Sequence, residues 1–193
     1  MKTRNYSKIF RVLHWSIALT FMFLLLTIFL RKTWMEKNHV AEIIQTYLTE
    51  NNYETLPQDD AIVLAKKIRK PMWVWHIYLG YVLVGLYCIR LALPFFGEMK
   101  FTSLFQKGLD TKTKIHYWTY FIFYIFTGIS LITGLIIEWG PKTLKKPMEE
   151  IHELSIYYLL GFIVIHFSGV LMAELGNQKG IISKIISGTK NDE

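Results

Sequence analysis

The sequence has a single cysteine, Cys88, among its 193 residues. One cysteine cannot form an internal disulfide, and it excludes a Cys-ligated iron–sulfur cluster and the C-x-x-C-H motif to which c-type haem is attached. Any haem in this chain must therefore be held without a covalent bond. We expect Cys88 itself to pack as a small apolar residue within a helix.

Charged residues are missing from four long stretches. Segments 12–30 and 71–89 each run for 19 residues without Asp, Glu, Lys or Arg, segment 115–137 for 23 and segment 154–173 for 20. A helix needs about 20 mostly apolar residues to cross the hydrocarbon core of a bilayer. A buried soluble core is the alternative, but its helices would need a polar face that these stretches lack. The sequence therefore predicts an all-α membrane protein with a four-helix transmembrane bundle.

We expect the whole chain, 1–193, to be one membrane domain. The first apolar stretch follows a basic start, as in a signal peptide, but it is too long and no cleavage site follows, so we expect a retained helix. Four spans place both termini on one side, and the distribution of Lys and Arg slightly favours the cytoplasm. The predicted helices lie at about 10–31, 71–94, 115–138 and 151–174.

The connecting segment 32–70 carries signals for two short amphipathic helices over the outer end of the bundle. The first has its apolar residues on one helical face, and the second begins at Asp59 and Asp60 and ends in basic residues before Pro71. A solvated connector is the alternative. The residues on the predicted apolar face are Val40, Ile43, Ile44, Tyr47 and Leu48.

The net charge of the chain and its polar C-terminal tail each lead to an expectation. The formal net charge is +7, which in a membrane protein reflects loops that face anionic headgroups. No basic and aromatic recognition motif lies outside the spans, so we expect contact with membrane lipid and no binding of nucleic acid. The polar tail 176–193 is expected to be mobile at its end.

Five of the six histidines lie in or at the ends of the apolar spans, and only His39 is expected in a loop. An ionisable residue within a membrane span is costly and indicates function by default. One such histidine could be a hydrogen-bonded packing residue, but five in four helices need a common cause. The five are His14, His76, His116, His152 and His166.

Four of these histidines match in pairs by depth, because successive helices alternate in direction. His14 and His166 lie towards the inner side, and His76 and His152 towards the outer side. The 14 residues between His152 and His166 span about 21 Å and nearly four turns, so both rings would share one face of helix 4. Two imidazoles at each of two levels suit two bis-His haems that transfer electrons, since full coordination leaves no position for substrate. Two unrelated polar residues on helix 4 are the alternative.

Other side chains near these levels have two interpretations each. Arg11 and Arg90 at the inner surface, and Arg69 and Lys70 at the outer one, could pair with haem propionates or anchor the spans at the interface. His116 at the inner start of helix 3 could serve a quinone or a proton relay, or bond to a propionate or headgroup.

Glycines in the spans could admit a flat macrocycle or serve helix packing, and tryptophans fit an aromatic belt or a haem wall. The glycines are Gly80, Gly85, Gly128, Gly134, Gly161 and Gly169, and the tryptophans are Trp15, Trp73, Trp75 and Trp118.

The sequence resembles the bacterial cytochrome b561 family and, more broadly, the b-type cytochrome subunits of nickel–iron hydrogenases and related dehydrogenases. The resemblance rests on R-V-L-H-W-S at 11–16, W-V-W-H-I-Y-L-G-Y at 73–81, I-H-Y at 115–117 and I-H-E-L-S-I-Y-Y…V-I-H at 151–166. It implies a di-haem protein of the bacterial inner membrane, with cytoplasmic termini, that exchanges electrons with quinones. The long segment 32–70 departs from the compact family pattern. The haem ligands that the resemblance implies are His14, His76, His152 and His166.

Two functional hypotheses remain at this point. The first is an electron-transfer cytochrome with two non-covalent haems b and no catalytic residue of its own. It could be a quinone oxidoreductase, a homodimer, or a subunit of a larger redox complex with a partner dehydrogenase. The second is a haem-free transporter or anchor whose histidines relay protons or bind a metal, and it predicts histidines that converge at one depth.

Overall fold

The structure, a computed structural model, describes residues 6–97, 108, 110–176 and 179–188. The beginning of the basic start, before position 6, and the end of the 176–193 tail, which is expected to be mobile, lie outside the described residues. Within the described residues every regular element is helical. The predicted all-α class is therefore confirmed.

Seven α-helices and one 3-10 helix, at Leu93–Phe96, form the described part of the chain. Four stretches are long and apolar enough to cross a membrane, namely Lys8–Lys32, Gln58–Phe96, Thr113–Trp139 and Lys142–Leu175, which confirms the four predicted spans. The α-helices are α1 (Lys8–Lys32), α2 (Lys37–Glu50), α3 (Gln58–Ala92), α4 (Thr111–Trp139), α5 (Lys142–Glu153), α6 (Ser155–Leu175) and α7 (Ile181–Ile186).

Contacts divide the chain into two compact units, which are described separately below. The first is Ile17–Gly85, and the second combines Met1–Ser16 with Leu86–Glu193. The first unit contains most of α1, all of α2 and most of α3. The second contains the start of α1, the end of α3 and all the later helices.

In the first unit, α2 packs against the beginning of α3 through alanines. Ala41, Ala61 and Ala65 have no exposed surface, because small side chains let two helices approach closely. The Gln45 side chain closes the connection between the helices: its amide donates to the carbonyl of Leu56 at 2.5 Å, and its oxygen accepts the N–H of Leu56 at 3.1 Å. Segment 32–70 therefore forms a helical hairpin.

Two details of this hairpin differ from the prediction. The second short helix is not separate, because α3 runs without interruption through Pro71 into the span; neighbouring groups can accommodate a proline within a spanning helix. The buried contact of α2 is made by Ala41, whereas Ile43 and Tyr47 on the predicted apolar face are 54% and 59% exposed. The helical periodicity in the sequence was judged from large apolar residues, whereas alanine makes this contact. His39, expected in a loop, lies in the first turn of α2, where its N–H bonds to the carboxylate of Glu36.

In the second unit, the C-terminal helix α7 is tied to the start of α1. The guanidinium of Arg11 donates to the carbonyl of Ile186 at 3.3 Å, and the indole N–H of Trp15 donates to the carbonyl of Ile185 at 3.2 Å. The carboxylate of Glu174, at the end of α6, accepts backbone N–H groups around the first turn of α7. The end of α6, α7 and the start of α1 are thus held together by polar contacts.

The predicted fourth helix, 151–174, is interrupted, and the segment expected as a loop before it is helical. α5 begins just after Gly140 and ends at Glu153, and α6 begins at Ser155. At Leu154 the backbone hydrogen bonds change from the α-helical spacing to i→i−3. Leu154 N–H donates to the carbonyl of Ile151, and Tyr157 N–H donates to the carbonyl of Leu154. His152 and His166 therefore lie on different helices, and their spacing of 14 residues does not set their relative direction. The argument for a shared face assumed one regular helix, so the relative direction of the two rings stays a prediction.

Cys88 also differs from its expectation. Its side chain is exposed on the surface of α3.

We expect Ala61→Leu to open the α2–α3 hairpin. The added atoms have no room in the closed alanine contact, and overpacking costs typically about 1–3 kcal/mol. Amide hydrogen exchange in α2 should accelerate. Val63→Leu is the matched control, because Val63 is 48% exposed. Equal exchange rates in the two variants would contradict the role of the alanine contact.

Candidate cofactor site

The rings of His14 on α1 and His166 on α6 lie close together in the second unit. Their centroids are 6.1 Å apart, and their planes are tilted by 44°. When two imidazoles bind one metal ion, each coordinating nitrogen lies about 2 Å from the metal. The ring centres then lie roughly 6 Å apart, because the radius of each ring adds to that distance. The separation therefore fits one iron between the rings. The structure brings these two predicted ligands together, and their binding to haem stays a prediction.

Aromatic side chains hold the His166 ring in place. Phe162 stacks on it, with centroids 5.6 Å apart and planes within 15°, and the hydroxyl of Tyr120 lies 2.8 Å from its Nδ1. Metal-binding histidines almost always hold their other ring nitrogen in a hydrogen bond, which fixes the ring and the tautomer. With Nδ1 engaged by Tyr120, Nε2 is the nitrogen suited to iron.

His76 on α3 is held in the same manner within the first unit. It stacks on Trp73, with centroids 4.5 Å apart and planes within 5°, and its Nδ1 lies 2.8 Å from Oγ1 of Thr27 on α1. That hydroxyl donates its only hydrogen to the carbonyl of Leu24 at 2.6 Å. With Thr27 donating to Leu24, its oxygen can accept a hydrogen from His76 Nδ1, and this tautomer would leave the lone pair of Nε2 for a metal.

His152, in the last turn of α5, packs against α4. Its Nδ1 lies 3.0 Å from the carbonyl oxygen of Ser130 and 3.2 Å from Oγ1 of Thr133. A carbonyl only accepts, so Nδ1 again carries the proton. Gly134 makes this approach possible, because a Cβ there would lie 3.1 Å from Cε1 of His152. His76 and His152 belong to different units, and their pairing stays a prediction.

The cationic candidates have protein contacts of their own. Besides its bond to the carbonyl of Ile186, Arg11 has a buried Nε with no hydrogen-bond partner among the described residues. The guanidinium of Arg90 lies 5.2 Å from the ring centroid of Tyr124, that of Arg69 donates to the carbonyl of Met35 at 3.4 Å, and Lys70 is exposed. None of these contacts tests a role at haem propionates, which stays a prediction.

His116 is exposed at the start of α4. Its ring centroid lies 4.7 Å from that of Tyr120, the residue that bonds to His166. His116 thus lies one side chain away from the His14–His166 pair, and neither its quinone role nor its headgroup role is tested. Among the described residues, no three His, Cys, Asp or Glu side chains come together as a metal site.

The glycines separate into two groups. Gly128 and Gly134 lie in tight packing, since a Cβ would lie 3.1 Å from the hydroxyl of Tyr87 and from the ring of His152, respectively. At the other four, an ideal Cβ would have no neighbour within 4 Å, so packing among the described residues does not require glycine. These four are Gly80, Gly85, Gly161 and Gly169.

The sequence reasoning did not identify the hydrogen-bond partners of the histidines. Thr27, Tyr120, Ser130 and Thr133 were not singled out, because Ser and Thr in a helix also bond to their own helix backbone and their presence alone predicts little. One signal was available: hydroxyl residues inside charge-free spans. Thr27 and Thr133 are only 7% and 5% exposed.

Comparison with known proteins gives one match. The sequence model of the family described as prokaryotic cytochrome b561 matches residues 5–188, nearly the whole chain, so the resemblance found in the sequence is confirmed. No curated protein and no solved structure matches the chain.

We expect Gly134→Ala to destabilise the protein by roughly 1 kcal/mol. Alanine gains about 0.5–1 kcal/mol over glycine within a helix, but crowding a packed neighbour costs about 1–3 kcal/mol, and His152 is held against α4 by its hydrogen bonds. Thermal unfolding in detergent measures the change. The control is Ile132→Ala, at a 60% exposed position on the same helix. A Gly134→Ala protein at least as stable as the wild type would contradict the close packing.

Proposed function

Because the chain belongs to the prokaryotic cytochrome b561 family, and is thereby a membrane b-type cytochrome that carries electrons, we propose that it holds two haems b and passes electrons across the bacterial inner membrane. Its termini would lie in the cytoplasm. Electrons would be exchanged with a quinone or a partner dehydrogenase on either side. Four candidate membrane spans support this proposal.

His14 and His166 would bind the inner haem, and His76 and His152 the outer one. The observation that carries the proposal is the proximity of the His14 and His166 rings, at a centroid separation that suits one iron. When bound, haem b supplies reversible one-electron chemistry. The four histidines would hold the haems and would leave no coordination position open for another ligand.

The Nδ1 hydrogen bonds support the same assignment. Thr27, Ser130 and Tyr120 each engage Nδ1 of one proposed ligand, which directs Nε2 to the metal. Three of the four proposed ligands therefore have the hydrogen bond at the second ring nitrogen that is typical of metal-binding histidines.

Four glycines in the spans have no neighbour that an added Cβ would contact. This supports the proposal that there is room for a flat cofactor beside these helices. Gly80 follows His76 by four residues and Gly169 follows His166 by three, so each lies on the same helix face as the neighbouring histidine. A side chain at either position would extend towards the face from which the imidazole projects.

The purified protein should show the visible spectrum of b-type haem, with two haems per chain. Each of the four variants His14→Ala, His166→Ala, His76→Ala and His152→Ala should lose about one haem, because an axial ligand is gone. His39→Ala is the matched control, since His39 is exposed in α2. A folded, colourless wild-type protein would overturn the proposal.

Double variants test which histidines share an iron. His14→Ala with His166→Ala should retain one haem, because both changes affect the same group, whereas His14→Ala with His152→Ala should retain none. Haem content per chain is the measurement. If the first double variant loses both haems, the pairing by depth is wrong even if haem binding is right.

A further inference from the structure

The α2–α3 hairpin of the first unit extends beyond the charge-free part of its second helix. α3 is continuous from Gln58 to Ala92, but its charge-free part begins only at Pro71. The stretch 58–70 adds roughly 20 Å of helix before that point, at about 1.5 Å per residue. The closed end of the hairpin, residues 42–60, is called the hairpin tip below, and it lies on the water side of a basic cluster that suits lipid headgroups. This cluster is Lys66, Lys67, Arg69 and Lys70.

The hairpin tip carries an exposed aromatic pair that the backbone holds in place. The ring centroids of Tyr47 and Tyr53 lie 6.5 Å apart, and the two side chains are 59% and 60% exposed. The N–H of Tyr53 donates to the carbonyl of Leu48 at 2.8 Å, through a turn in which Asn52 has a left-handed φ of 56°. Ile43, one helical turn before Tyr47, is also more than half exposed. Tyrosine is enriched where proteins bind each other, and side chains on an ordered backbone lose less entropy on binding.

Every charge at the hairpin tip is negative. Residues 38–65 contain five carboxylates and no Lys or Arg, although the whole chain has a formal net charge of +7. A surface with charge of one sign attracts partners of the opposite sign and speeds their encounter. The apolar side chains of Ile43, Tyr47 and Tyr53 therefore lie within an acidic surface. Its five carboxylates are all exposed: Glu42, Glu50, Glu54, Asp59 and Asp60.

This charge pattern decides between three occupants of the exposed apolar side chains. Membrane lipid is disfavoured, because anionic headgroups repel carboxylates and the tip lies beyond the basic cluster. A second copy in the same bilayer has the same orientation, so its acidic tip would lie at the same level and repel the first. A basic protein in the water outside the bilayer has the opposite charge. A patch of three apolar side chains also suits the small interfaces of transient redox encounters.

We propose that the hairpin tip is a docking surface for a water-soluble electron-carrying protein with a basic surface. The carboxylates steer this partner to the tip, and Ile43, Tyr47 and Tyr53 contact its apolar side chains. That the partner carries electrons rests on the proposed function. The docking itself rests on the hairpin alone.

The test is surface plasmon resonance with the purified holoprotein in nanodiscs of phosphatidylcholine. The probe is a basic c-type cytochrome, and the same probe with acetylated lysines lacks the positive charge. The unmodified probe should bind, more weakly as salt is added, and the acetylated probe should not. Glu50→Gln with Glu54→Gln should weaken binding about tenfold, because two steering charges are gone. Glu149→Gln with Glu150→Gln is the matched control, since it removes the same charge from exposed positions of α5, and it should leave binding unchanged.

The aromatic pair has its own variants. Tyr47→Ala with Tyr53→Ala should weaken binding about tenfold and leave its salt dependence in place, because no charge changes. Tyr47→Phe with Tyr53→Phe keeps both rings and should retain most of the binding. Tyr157→Ala, at a 73% exposed position in α6, is the control. Unchanged amide hydrogen exchange in the alanine contact of the hairpin shows that the variants keep its fold.

Several outcomes would overturn this inference while leaving haem binding intact. These are equal binding of the two probes, no binding of either, or a loss in the α5 control as large as in the tip variant. Slower amide exchange at the tip in anionic nanodiscs without probe would assign the surface to lipid. Dimers of the Glu50→Gln, Glu54→Gln protein, detected by light scattering, would assign it to a second copy. A colourless protein that still binds the basic probe at the tip would overturn the proposed function and keep the docking surface.

Discussion

The cost of placing an imidazole within an apolar helix is the constraint on which this structure depends. A polar group in hydrocarbon needs a hydrogen-bond partner. An imidazole has two ring nitrogens, and the second needs a partner even when the first binds a metal. The chain supplies these partners from neighbouring helices: a threonine to His76, a tyrosine to His166, and a backbone carbonyl with a threonine to His152. The same contacts decide which nitrogen is left for a cofactor.

These contacts also explain why the helices are arranged as they are around the histidines. His152 lies close to Gly134 of α4, which leaves room for the ring, and a turn at Leu154 separates α5 from α6. At the other end of the second unit, Arg11 and Trp15 hold α7 against α1 next to His14. The contacts between these helices therefore also position the histidines.

Much of the fold could be predicted, because the absence of charge over about 20 residues has one main physical cause, the bilayer core. The predictions failed where local rules compete with contacts between helices. Pro71 predicts a helix boundary, yet α3 continues through it. The stretch before His152 was expected to be a loop, yet it is α5, and in α2 the buried contact is made by Ala41, which a search for large apolar residues overlooks.

The membrane class, the four spans, the family and the candidate histidines follow from residue type and from spacing along the chain. The close approach of His14 to His166, at a separation suited to one iron, and the groups that contact Nδ1 of His76, His152 and His166 follow from the folded arrangement of the helices. The reason is physical: a hydrogen bond between helices depends on their distance and rotation to within an ångström. Side chains from many distant positions set these together, and no short stretch of sequence specifies them.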